Sequence, residues 1–192
     1  MYFRLFGIKF KISVIFAISL SLFLAFDSTK SFLPLLISIF VHESSHIFFL
    51  CFFNAKPSEI NLDMGTINIK NNTVLNSVEE IIVLFAGPLS NLILYLISDV
   101  LGNYNNFKNI NLCLFFVNML LVDGLDGGEM FKIVLYKNFS TKTIDKILNV
   151  VNIVNIIFVL LIFALGAHFG ILNYTLLFFV FYLIVNNKGK RK

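Results

Sequence analysis

Residues 31–53 read SFLPLLISIFVHESSHIFFLCFF, an apolar run broken near its middle by His42, Glu43, Ser44, Ser45 and His46. A helix that crosses a bilayer needs about 20 mostly apolar residues at 1.5 Å of rise each, and this run has that length. Ionisable side chains are costly at such depth and by default mark function. On a helix, residues four apart lie one above the other, so His42 and His46 share a face and Glu43 stands beside them.

The rest of the chain has the same character. Of 192 residues 58% are hydrophobic and 14% charged, with a mean hydropathy of +0.87, whereas a soluble domain carries roughly 25% charged residues. The formal charge of +4 does not indicate nucleic acid, because the basic residues sit in short groups flanking apolar runs, as membrane topology signals do. Cys51 and Cys113 both lie in apolar runs and read as small buried hydrophobes rather than a disulfide pair.

Apolar runs place spans at roughly 12–26, 31–53, 81–100, 110–131, 148–165 and 171–185. The first follows Arg4, Lys9 and Lys11 as a signal peptide would, but no small-residue cleavage site comes after it. Between the second and third, apolar and polar residues alternate from Ile60 to Ile69 around Gly65, which predicts a short hairpin able to pair with an extended peptide. The fourth run does not stay apolar: Asp123, Gly124, Asp126, Gly127, Gly128 and Glu129 predict a helix that unwinds, tolerated at membrane depth only inside protein or beside a wet cavity. Residues 132–146 read as a basic loop, and His168 as part of a glycine-containing turn. The expected fold class is an all-α polytopic membrane protein, one domain over 1–192. It has about six transmembrane helices, a short membrane-associated β-hairpin and an unwound fourth helix. With both termini cytoplasmic, all of the 15 Lys and Arg residues except Lys30 and Lys108 fall inside, as the positive-inside rule requires. The richness in Phe, Ile, Asn and Lys suits a bacterial, AT-rich genome.

The H-E-x-x-H spacing fits a single zinc ion. Two neutral imidazoles take two corners of its tetrahedron, a third protein ligand takes another, and water keeps the open position of a catalytic site. Glu43 is then the general base that activates this water for peptide hydrolysis. For the third ligand, Asp126 lies about as far from the cytoplasmic end of its span as His46, whereas His168 falls on the outer side. Asp123 lies three residues earlier on roughly the same face and competes for the role. The alternatives are a different class of membrane zinc protease, or a catalytically silent metal-binding membrane protein or transporter subunit; Glu43 argues against the silent forms, since holding zinc does not need it.

Three motifs in order, His42 to His46, Ala86-Gly87-Pro88-Leu89-Ser90-Asn91, and Asn118 through Leu125-Asp126-Gly127-Gly128, resemble the site-2 protease family of intramembrane zinc metalloproteases. The similarity covers most of the chain and is greatest to the compact bacterial branch associated with sporulation. It implies that His42, His46 and Asp126 bind the metal, and that Asn118 helps hold substrate. It also implies as substrate a membrane-associated regulatory protein, such as a sigma-factor precursor or an anti-sigma factor, with an inhibitory membrane protein as a further partner. The chain departs from the family pattern at Leu121 and Gly124, where prolines are common, and at Glu129, where arginine is usual. The PDZ and nucleotide-sensing domains of some relatives are not expected in this length.

Overall fold

A computed structural model describes residues 2–5, 8–12, 31–55, 57–63, 66–71, 73–102 and 105–168. Apart from Ile12, the expected span 12–26 lies outside the described residues, as does the whole of 171–185. The chain divides into two compact units, Met1–Asn118 and Met119–Lys192.

Among the described residues, the first unit combines a sheet with three helices. Its strands β1 (Tyr2–Leu5), β2 (Ile8–Ile12), β3 (Pro57–Asp63) and β4 (Thr66–Asn71) lie in the order β1-β2-β3-β4. β1 and β4 pair antiparallel with their sequence neighbours, whereas β2 and β3 run parallel, with Phe10 opposite Ile60. An all-α description is therefore incomplete. The overlooked signal is Ile8-Lys9-Phe10-Lys11-Ile12, whose strict apolar–basic alternation has the period of a strand. Ile12, expected to open a span, instead closes β2.

Helices α1 (Phe32–Phe52) and α2 (Ser77–Leu101) are each long and apolar enough to cross a bilayer. Pro34 is tolerated in the first turn of α1, where its missing N–H would have no intrahelical partner. The helix ends at Asn54, whose left-handed φ of 58° suits asparagine better than most residues, and Ala55 donates its N–H back to the Leu50 carbonyl at 2.8 Å. α2 opens with a reciprocal cap. The Asn76 side chain accepts from the Val78 and Glu79 amides at 3.0 and 2.9 Å, and Glu79 accepts from the Asn76 amide at 2.9 Å. It stops at Gly102, whose φ of 74° costs glycine little. α3 (Asn105–Asn118) packs against both longer helices. Asn106 donates to the Ser31 hydroxyl at 3.0 Å, and Lys108 pairs with Asp99.

Burial along these helices is inverted relative to a soluble protein. The buried stripe of α1 is Ser38, His42, His46 and Leu50, at intervals of four, while Phe40 and Phe48 are 73% and 64% exposed. On α2 the buried set includes Asn91 and Ser98, and Ile93, Leu96, Ile97 and Val100 face outward. Polar groups inside and large apolar groups outside is the arrangement that hydrocarbon, not water, favours. The buried serines are satisfied within their own helices: Ser38 donates to the Pro34 carbonyl at 2.9 Å and Ser98 to the Leu94 carbonyl at 2.7 Å.

In the second unit, α4 (Asp126–Asn138) is followed by α5 (Thr141–His168). The expected loop over 132–146 is therefore mostly helical, broken only near Phe139 and Ser140. Its lysines share helical surface with Ile133 and the buried Leu135, and polarity alone did not reveal that. His168 is the last residue of α5 rather than part of a turn. Before α4 the chain turns through Gly124 at φ 88°, a conformation that glycine adopts freely. Residues 119–125 are not helical, so the run is interrupted as expected, but Gly127 and Gly128 lie within α4 and serve close approach. A Cβ on Gly127 would stand 2.5 Å from the Met119 carbonyl oxygen, and one on Gly128 would collide with the Val122 carbonyl.

Candidate metal centre

α1 brings His42 and His46 to its buried face, at 6% and 7% exposure. Their Nε2 atoms are 3.2 Å apart. Two nitrogens bound to one zinc at about 2.0–2.1 Å with tetrahedral angles would be roughly 3.3–3.4 Å apart, so the pair has the spacing that a shared ion requires. The far sides of both rings are held by α2. His46 Nδ1 lies 2.7 Å from the Val83 carbonyl oxygen, and His42 Nδ1 lies 3.0 Å from the Asn91 side-chain amide. A carbonyl only accepts, so a neutral His46 carries its proton on Nδ1 and presents a lone pair at Nε2. That is the tautomer a metal needs.

The approach of α2 is close because of Gly87, where a Cβ would lie 2.6 Å from His42 Nε2 and closer still to His46 Nε2. Pro88 follows and is fully buried. Its ring supplies no N–H to the helical ladder, next to the turn whose Val83 carbonyl receives His46. The motif Ala86-Gly87-Pro88, read from sequence only as a family marker, thus has a physical task. It brings a helix backbone to within touching distance of two imidazoles.

Glu43 sits half-buried on α1 next to His42. Asp126 is half-buried in the first turn of α4, in the second unit. In that same unit Asp123 pairs with Lys132, which also reaches Glu129 at 2.6 Å, and Glu129 accepts from the Gly124 amide at 3.0 Å. Asn118 ends α3 with its amide donating to the Leu114 carbonyl at 3.0 Å. Both cysteines are exposed rather than buried as expected. Sequence reasoning missed the contacts of Asn91 and Val83 with the histidines. An amide inside an apolar run was a signal for the first; a backbone carbonyl leaves none.

Replacing Gly87 with alanine raises helix propensity by about 1 kcal/mol, yet the added methyl occupies the space between the histidines and α2. Gly87→Ala is expected to bind zinc at least tenfold more weakly, read by chelator competition on purified protein. Zinc affinity equal to that of the parent would show that this space is not needed by the metal.

No family model matches the chain. Stage IV sporulation protein FB of Bacillus subtilis is 28% identical over 118 residues, a match covering 56% of this chain and 41% of that protein's length. The chain thus aligns with well under half of that relative. Among solved structures, the site-2 protease from Methanocaldococcus jannaschii superposes with a TM-score of 0.68 at 17% identity, covering 100% of this chain and 95% of that one. At that identity the likeness is one of fold. The chain is thus similar in sequence to part of a sporulation protein and in fold to a site-2 protease.

Proposed function

We propose that the chain is an intramembrane zinc metalloprotease that hydrolyses peptide bonds of a membrane-associated regulatory protein. The observation that carries this reading is the buried pair of Nε2 atoms 3.2 Å apart beside a carboxylate residue, Glu43, on a helix with an apolar outer surface. Two imidazoles and a carboxylate form a donor set that zinc accepts, and the family motif supports Asp126 as the third ligand with His42 and His46. When bound, zinc lowers the pKa of water and polarises the scissile carbonyl. Glu43 takes a proton from the attacking water and passes it to the leaving amine, a contribution of about 10²–10⁴ in rate for a well-placed general base. The buried polar face of α1 and α2 keeps these groups out of hydrocarbon.

Asp126 is preferred to Asp123 on local grounds. The Lys132 ammonium already engages Asp123, whereas Asp126 starts α4 where Gly127 and Gly128 let the backbone fold tightly on residues 119–122. The family motif points to the same residue. The bias of basic residues supports a cell-membrane, multi-pass placement with both ends in the cytoplasm. A reporter active only outside the cytoplasm, fused after Lys192, is expected to be silent; activity there would reverse the orientation.

Co-expression with a membrane-tethered substrate tests the reaction. Glu43→Gln should lower cleavage by a factor of about 10²–10⁴ and leave the zinc content of the purified protein unchanged. Normal cleavage would remove Glu43 from the mechanism, and a substrate band identical with and without the parent protein would favour a silent metal-binding protein. Asp126→Asn should lose zinc and activity together, while Asp123→Asn keeps its zinc. The opposite pattern of metal content would exchange the two aspartates.

A further inference from the structure

Asn91 is fully buried on α2, and its amide meets His42 Nδ1 at 3.0 Å. Which end of the amide faces the ring decides what the imidazole pair can do. If the NH2 group donates to His42 Nδ1, that nitrogen holds the lone pair and Nε2 carries the proton. His42 then donates to His46 across the 3.2 Å gap, and the pair is a closed hydrogen bond with no lone pair left for a cation. With the amide reversed, the carbonyl oxygen accepts from His42 Nδ1–H and both Nε2 lone pairs point into the same gap. His46 is already fixed in that state by the Val83 carbonyl.

A second observation bears on this choice. With the NH2 towards His42, Asn91 Oδ1 is buried and has no hydrogen-bond partner. A buried acceptor left without a donor is costly. Turning the amide by half a rotation exchanges nearly isosteric groups: it gives that oxygen the Nδ1–H as donor and moves the NH2 into the position the oxygen leaves. We infer that Asn91 is a positioning residue: its side-chain oxygen holds His42 in the tautomer whose Nε2 binds the metal, as the Val83 carbonyl does for His46. This role deepens the proposed metal centre and rests on it. Groups that orient metal-bound histidines in this way are typically worth 10–100-fold in metal affinity.

The test uses the full chain purified in detergent. In the zinc-loaded parent labelled with ¹⁵N-histidine, His42 Nδ1 is expected to be protonated and Nε2 metal-bound; an unprotonated Nδ1 on His42 overturns the inference without any substitution. Asn91→Leu, which keeps the volume and removes the acceptor, should weaken zinc binding 10–100-fold by chelator competition. Asn91→Asp offers only acceptor oxygens and should restore affinity to the parent's level or better. An Asn91→Asp protein as weak as Asn91→Leu would mean that the NH2 group was the working end, and parent-like affinity in Asn91→Leu would mean that neither end matters. Asn111→Leu removes another fully buried asparagine, whose amide donates to the Phe107 carbonyl within its own helix, and should leave the affinity unchanged. A tenfold loss there as well would reduce Asn91 to general packing. A folded parent that takes up no stoichiometric zinc or cobalt overturns the metal centre itself, a result distinct from all of these.

Discussion

Two ring nitrogens that both present lone pairs across 3.2 Å repel each other unless a cation lies between them. The surroundings of His42 and His46 follow from that constraint. Each ring must be gripped from behind so that its proton stays on Nδ1, and α2 is the helix that does so, through the Val83 carbonyl and Asn91. α2 can come close enough only because position 87 has no side chain. Its own stability is set at the ends, by the Asn76–Glu79 cap and by Gly102, which leaves its middle free to carry Gly87 and Pro88 at some cost to helical regularity.

A polar stripe of this kind would be unremarkable in a protein whose apolar residues lined a core. Here most of the large apolar side chains of α1 and α2 point outward, and the buried positions include two serines, two histidines and an asparagine. The only cluster of buried apolar residues with packed apolar neighbours among the described residues, Leu50, Ala55 and Val83 with Phe49, Phe53 and Leu75, sits where α1 ends and α2 begins. Hydrocarbon outside supplies no competing hydrogen bonds, so buried polar groups either find partners within the protein or bind something that needs them. Ser38 and Ser98 take the first course by bonding back to their own helices. In the proposed metal centre the imidazole pair takes the second.

The sequence made the imidazole pair legible and much of its setting illegible. His42 and His46 declared themselves by spacing, and Glu43 by lying between them, because four residues along any helix return to the same face. The sheet was only half seen: β1 and β2 are short, and their basic residues looked like a topology signal before a span. The helical course of residues 132–138 was hidden by lysines, and the glycines after Asp126 suggested unwinding when their task is to let α4 lie against the preceding backbone. In both cases composition was read for local flexibility, while the deciding factor was a contact with residues elsewhere in the fold. The same is true of Asn91, whose partner lies 49 positions away.

The central claim is that the two imidazoles of α1 hold one zinc ion, and X-ray absorption at the zinc edge of the purified, metal-loaded chain measures that most directly. The account predicts one zinc per chain with only nitrogen and oxygen neighbours at about 2.0–2.1 Å, including the outer-shell scattering of two imidazole rings. A sulfur neighbour at about 2.3 Å, which would draw in Cys51 or Cys113, or a spectrum without imidazole scattering, would contradict it.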